Sequence, residues 1–128
     1  MGIFRCCIFP DGRNVIREWY DVRAAEVQGK MVGTPIAFEN FSRSRWPENL
    51  FKPLDRRAGT NCVGLDELRV NSIRILGFGG PRTDDDFTML YAFDKNQDKR
   101  YRVSCEEARR RKEEVQNDWR RSEEFEYP

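Results

Sequence analysis

The stretch GLDELRVNSIRILGF, residues 64–78, constrains the fold more than any other part of the sequence. It contains two apolar strands separated by Asn-Ser at 71–72, and that dipeptide is suited to the centre of a two-residue hairpin. In that register Arg69 lies opposite Arg74, so two guanidinium groups share one face of the sheet. Like charges directly opposite destabilise a sheet by roughly 0.2–1 kcal/mol. We therefore expect an anionic group between the two arginines. A longer turn would weaken this expectation, because a one-residue shift moves side chains to the other face.

Before the hairpin, the sequence predicts one strand, two helices and a long loop. FRCCIF (4–9) is an apolar run closed by Pro-Asp-Gly, which predicts a strand and a turn, and Asn14 can then cap a helix. Apolar residues recur at helical spacing after Asn14, until Gly-Thr-Pro at 33–35 interrupts the pattern. IAFENFSR (36–43) predicts a second short helix. The irregular segment that ends at Cys62 is long enough to be functional.

After the hairpin, the sequence predicts further strands and a closing helix. GFGGPRTDDD (77–86) predicts a solvated connection. The next strand is predicted to be central because it is apolar on both faces: one carries Phe87, Met89, Tyr91 and Phe93, the other Leu90 and Ala92. YRV (101–103) predicts an edge strand. Ser104 and Glu107 have capping-box spacing, and the pairs Glu106–Arg110 and Glu107–Arg111 support an exposed helix.

These elements predict a single α+β domain spanning residues 1–128. We expect a small antiparallel sheet of three to four strands, packed against two N-terminal helices and a C-terminal helix. The chain has four cysteines without a CxxC pair and no histidine, which excludes a Cys/His zinc site. We expect reduced thiols, a cytoplasmic location, and no metal, cofactor or membrane segment. The net charge of +1 limits any RNA contact to a local patch.

Four segments together resemble the RelE/HigB-like toxins of bacterial type II toxin–antitoxin systems, in their phage-related branch. They are FKPLDRRAGTNCVGLDELR (51–69), SIRILGF (72–78), FTMLYAFDK (87–95) and CEEARRRKEEV (105–115). The resemblance rests on their order and spacing and spans roughly residues 46–118. It implies a RelE/ParE-like fold and a ribonuclease that cuts messenger RNA, commonly on the ribosome. It also implies a cognate antitoxin that holds the toxin inactive.

RNA cleavage by the 2′-hydroxyl needs a base, a stabiliser for the phosphorane charge, and an acid for the leaving oxygen. The chain has no histidine, and a lysine can act as the base only if its pKa falls towards neutrality, as neighbouring positive charges would make it do. We assign Arg69 and Arg74 to the phosphate and Lys95 or Lys52 to proton transfer. Tyr101 would stack on an RNA base. The remaining candidate RNA-binding residues are Lys99, Arg100 and Arg102.

Each of these residues also has an ordinary structural interpretation. Arg69 can form an ion pair with Glu67 on the same strand face, Arg74 can be a solvated strand residue, and Tyr101 can be a packing residue. Lys52 and Lys95 can be ordinary surface lysines. The basic run at 109–112 favours a solvated, salt-bridged helix face. Two other functions stay open: a non-catalytic inhibitor of a protein target, as in the gyrase-poisoning relatives, and a phage or prophage accessory protein.

Overall fold

The computed structural model describes residues 4–23, 25–38, 51–54, 56–57, 60–70, 72–81, 86–94 and 101–125. The helices within these ranges are α1 (Val15–Asp21), α2 (Ala25–Phe38) and α3 (Tyr101–Asn117), followed by a short 3-10 helix (Trp119–Arg121). The strands are β1 (Phe4–Cys7), β2 (Phe51–Pro53), β3 (Arg56–Arg57), β4 (Thr60–Asn61), β5 (Asp66–Val70), β6 (Ile73–Gly79), β7 (Phe87–Asp94) and β8 (Ser122–Glu124).

Six of the described strands form one mixed sheet, in the order β2-β5-β6-β7-β1-β8. β1 runs parallel to β7, and the other neighbouring strands are antiparallel. β3 and β4 pair separately as a two-stranded ribbon. The predicted α+β class is confirmed. The described sheet is larger than the predicted three to four antiparallel strands, because the three-residue strands β2 and β8 are too short to show an alternating pattern in the sequence.

The sheet carries a hydrophobic cluster on each face. On the first face, Ile16 and Tyr20 of α1 pack with strand residues that include Phe87 and Met89. On the second face, Cys105, Ala108 and Val115 of α3 pack with Leu76, Phe78, Leu90 and Phe93. The described helices therefore cover both faces, with α1 on one side and α3 on the other. Such coverage explains why the central strand β7 is apolar on both of its faces.

A β-bulge between β6 and β7 overturns the predicted division of the β7 side chains. Leu76 pairs with Tyr91 but Gly77 pairs with Met89, so Leu90 is an extra residue in β7. Beyond the bulge the alternation is reversed, because one inserted residue moves every later side chain to the opposite face. Tyr91 and Phe93 consequently pack with the second cluster, and not with Met89 as the sequence predicted.

The N-terminal helices are divided at a different point from the predicted one. Asn14 caps α1 as expected, since its side-chain oxygen accepts a hydrogen bond of 2.9 Å from the backbone N–H of Arg17. The chain leaves the first helix after Asp21, and α2 then continues through residues 33–35, where the sequence predicted an interruption. The predicted second helix over 36–43 lies in part outside the described residues.

The helix α3 begins earlier than its capping signal indicates. Residues 101–103 form its first turn and are not an edge strand; β8 lies at that edge of the sheet instead. Ser104 is buried inside the helix, so it does not serve as the N-cap. Of the two predicted exposed pairs, Glu107 and Arg111 do form an ion pair of 3.0 Å.

Two connections are more ordered than the sequence indicates. Asp86, at the end of the predicted solvated connection, is buried, while Asp84 and Asp85 lie outside the described residues. The hydroxyl of Thr88 in β7 donates to the carbonyl of Gly80 at 2.6 Å, a contact that stabilises the start of this connection. In the predicted long loop, β2 pairs with β5 and extends the sheet.

The cysteines fall into two pairs of different kinds. Cys62 and Cys105 form a disulfide with Cα atoms 5.2 Å apart, so the prediction of four reduced thiols is wrong for them. Their separation of 43 residues carries no local signal, and the fold alone brings the segment after β4 against α3. Cys6 and Cys7 are free and buried. No helix among the described residues is long and apolar enough to cross a membrane.

Candidate functional site

The β5–β6 hairpin has the register that the sequence predicts. Val70 pairs with Ile73 and Arg69 pairs with Arg74 across the turn. The two arginines therefore occupy directly opposite positions on adjacent strands. Their mutual repulsion requires a compensating negative charge nearby.

Glu67 supplies that negative charge from within the protein. Its side chain is fully buried, and its Oε1 accepts a hydrogen bond of 2.8 Å from Nε of Arg69. Nε of Arg74 lies 3.9 Å from the same oxygen. These three residues, here called the Glu67 cluster, combine two positive charges with one negative charge. The alternative ion pair between Arg69 and Glu67 is confirmed, and the anionic group expected between the arginines belongs to the chain itself.

The two arginines of the Glu67 cluster differ in their environment. Arg74 is only 7% exposed and donates through one terminal nitrogen to the carbonyl of Ile73 at 3.0 Å. Its interpretation as a solvated strand residue is therefore wrong. The side chain of Arg69 is 29% exposed. Its two terminal amino groups have no hydrogen-bond partner among the described residues, since Nε makes the bond to Glu67.

Glu67 retains one unsatisfied oxygen. Oε2 is buried and accepts no hydrogen bond within the described part of the chain. A buried carboxylate with an unpaired oxygen is costly, because its lost hydration is only partly replaced. The two guanidinium groups are thus the main described compensation for the buried charge. The sequence signal for this arrangement was the Glu-x-Arg spacing of 67 and 69, but the contact with Arg74 depends on strand pairing.

The other predicted site residues are only partly described. The backbone of Lys52 lies in β2, in register with Glu67 on the neighbouring strand. Tyr101 and Arg102 begin α3, but the described part of the structure does not include their side chains. Lys95, Lys99 and Arg100 lie outside the described residues. Among the residues that are described, no group of three metal-ligating side chains comes together.

The basic run on α3 forms a salt-bridged face, as predicted. Arg110 is exposed and pairs with Glu107 and Glu114. Arg111 is more buried: it bonds to Glu107 and also donates to the carbonyl of Leu90 at 2.7 Å. Lys112 donates to the carbonyl of Gly64 at 2.7 Å, so three of the four basic side chains of the run have described partners within the protein. The described contacts of the run are structural.

A scan against models of protein families found no match to this chain, and a search of curated proteins found none either. Support for a function therefore comes from the geometry of the Glu67 cluster and from the motifs quoted above.

Proposed function

We propose that this chain is a RelE/HigB-like toxin that cleaves messenger RNA in the cytoplasm and is neutralised by a cognate antitoxin. The observation that carries the proposal is the hydrogen bonding of the Arg69 guanidinium group. Glu67 holds its Nε at 2.8 Å, and its two terminal amino groups have no partner among the described residues. A guanidinium group that is bonded only through Nε keeps two parallel N–H donors, which can bind two oxygens of one phosphate.

The order of the elements supports the same proposal. β1, α1 and α2 come first, the antiparallel strands β5, β6 and β7 follow, and α3 comes after them. That is the order implied by the resemblance, with the predicted catalytic arginines on adjacent strands of the sheet. The RelE/ParE-like fold is part of the proposal.

The proposed reaction is attack of a ribose 2′-hydroxyl on the adjacent phosphorus. A new P–O bond forms as the bond to the 5′-oxygen breaks, which leaves a 2′,3′-cyclic phosphate and a 5′-hydroxyl. Arg69 stabilises the extra charge of the phosphorane. Lys52 or Lys95 takes the proton from the 2′-hydroxyl or gives one to the leaving oxygen. Tyr101 stacks on a base, and the RNA backbone is held by Lys99, Arg100 and Arg102.

The decisive experiment is Arg69→Ala, scored by cleavage of messenger RNA in a translating bacterial extract and by growth arrest on induction. Loss of one oxyanion donor reduces the rate by about 100- to 1000-fold. Arg120→Ala is a matched control, because Arg120 also bonds through Nε to a carboxylate two residues earlier, that of Asp118 at 3.0 Å. Wild-type activity in the Arg69 variant would refute the assignment of the phosphate site.

The antitoxin is tested separately. The chain is co-expressed with the product of the small adjacent gene, and the mixture is separated by size-exclusion chromatography. Co-elution at micromolar concentration, with loss of RNA cleavage in the complex, is the expected result. Separate elution would count heavily against a toxin–antitoxin pair.

The disulfide between Cys62 and Cys105 bears on the proposed cytoplasmic location. Cytoplasmic reductants keep protein thiols reduced, so a disulfide is more typical of an oxidising compartment. Thiol counting on protein extracted under acid quench tests the location. Two free thiols, those of Cys6 and Cys7, would agree with the structure and count against a cytoplasmic toxin, whereas four would support it.

A second candidate function is inhibition of a protein target on the same fold, with gyrase as the example. The observation that favours it is the burial of Arg74 against Glu67, which leaves Arg74 little exposed to a ligand. Inhibition of DNA supercoiling by the purified chain, with messenger RNA left intact, would support this candidate. If neither activity is found, the remaining candidate is the phage or prophage accessory protein.

A further inference from the structure

The geometry points to Glu67 as the positioning residue of the phosphate site: it acts on RNA only through Arg69, whose guanidinium it holds. This inference rests on the proposed ribonuclease function and deepens it. Glu67 is fully buried and its Oε2 is shielded from solvent, so an RNA strand on the surface does not contact its carboxylate. Any effect of Glu67 on RNA must therefore pass through a neighbouring group.

Arg69 is the neighbour that can transmit this effect. The bond of 2.8 Å between Oε1 of Glu67 and Nε of Arg69 fixes one edge of the guanidinium group. A free arginine side chain loses rotamer entropy when it binds a ligand, and the bond to Glu67 has already incurred part of that loss for Arg69. Because Nε is bonded to Glu67, the guanidinium group presents its two terminal amino groups to a ligand. These two groups can form a bidentate contact with phosphate.

Arg74 completes the arrangement from the buried side. It lies 3.9 Å from the oxygen that holds Arg69 and is bonded to the carbonyl of Ile73. Its positive charge attracts the Glu67 carboxylate and so helps to hold that carboxylate where it accepts the hydrogen bond from Arg69. Arg74 is thus expected to influence phosphate binding through Glu67 and not by direct contact.

The test is a double-mutant cycle on Glu67 and Arg69, measured as binding of a fluorescein-labelled RNA with 2′-O-methyl riboses, which cannot be cleaved. Glu67→Met is nearly isosteric but accepts no hydrogen bond from Nε. It should weaken binding by about tenfold when Arg69 is present, as expected for one charge-assisted hydrogen bond. With Arg69→Ala already in place, the same change should alter binding by less than about twofold.

Glu67→Gln provides the conservative rescue. Its amide oxygen can still accept the bond from Nε, so binding should recover most of the loss seen with Met. A purely structural role predicts instead that all Glu67 variants weaken binding in parallel with their thermal midpoints, whatever residue is at position 69. That pattern would overturn the inference.

Two further outcomes separate this inference from the proposed function. If Arg69→Ala leaves RNA binding and cleavage unchanged, the proposed phosphate site fails. If Arg69→Ala abolishes both but a folded Glu67→Met protein binds normally, the site stands and the positioning role fails.

Should the Met variant not fold, Arg69→Lys decides, because it leaves Glu67 in place. Arginine can bond to Glu67 through Nε while its terminal nitrogens bind phosphate. Lysine has a single ammonium group for both partners, so it should not restore binding. Full activity with lysine would refute the positioning role.

Discussion

Replacing Arg74 by alanine should destabilise the protein, although the change removes a like-charge contact across the hairpin. From the sequence alone, the opposite sign is expected: relief of repulsion with Arg69 would hold or raise stability by a few tenths of a kcal/mol. The structure reverses this expectation because Arg74 is 7% exposed and lies 3.9 Å from a fully buried carboxylate. Its removal leaves Glu67 with one described cation in place of two.

The magnitude follows from four terms: two that destabilise the variant and two that offset them. Attraction between unit charges at this separation is about 4 kcal/mol with an effective dielectric constant near 20. Loss of the bond to the carbonyl of Ile73 adds about 1 kcal/mol. Relief of repulsion with Arg69 and recovered hydration of the arginine offset roughly half of this sum. We therefore expect the free energy of unfolding to fall by about 2–3 kcal/mol. The full value for a broken buried pair, about 3–5 kcal/mol, is not reached because Arg69 still pairs with Glu67.

Thermal unfolding followed by circular dichroism, together with urea titration, measures this loss. For a chain of 128 residues the unfolding entropy predicts a drop in Tm of about 7–11 °C. Arg110→Ala is the control, since Arg110 is an exposed arginine with carboxylate partners on its own helix, and Tm should change by less than about 2 °C. The pair Glu67→Met with Arg74→Met should be more stable than Arg74→Ala, because no buried carboxylate is left with only one of its two cations. An Arg74→Ala protein as stable as the wild type would refute the structural ion pair.

Three other predictions concern the scaffold. Gly77→Ala should lower the free energy of unfolding by roughly 1–3 kcal/mol or more, measured by urea titration, because the new Cβ would lie 2.3 Å from the carbonyl oxygen of Thr88. Asn14→Ala should lower it by about 1 kcal/mol through loss of the α1 cap, and Asn14→Ser should restore most of that loss. Burial raises the pKa of the Cys7 thiol from 9.0 to about 11 and raises that of Cys6 as well. As the pH rises, the unfolded chain loses these thiol protons before the folded chain does. The free energy of unfolding should therefore fall between pH 9 and 11, and it should fall less steeply with pH in Cys7→Ala.

What could be predicted from the sequence is what depends on short-range pattern. A two-residue turn predicted at 71–72 is enough to set Arg69 opposite Arg74, because strand register follows directly from turn length, and the observed register agrees. The cap at Asn14 is a contact between residues three apart. The α+β class follows from the order of apolar patterns along the chain.

Tertiary structure alone decided the features that depend on distant partners. The bulge at Leu90 is a property of two strands together, so no pattern within β7 could reveal the reversal of Tyr91 and Phe93. The helix α3 begins at Tyr101, before the capping signal at Ser104 where the sequence predicted its start. For the candidate site, the burial of Glu67 beside Arg74 requires the pairing of β5 with β6 and a covered sheet face. Whether an arginine is a solvated cation or part of a buried ion pair is set by its distance from water, which only the packing of the whole chain determines.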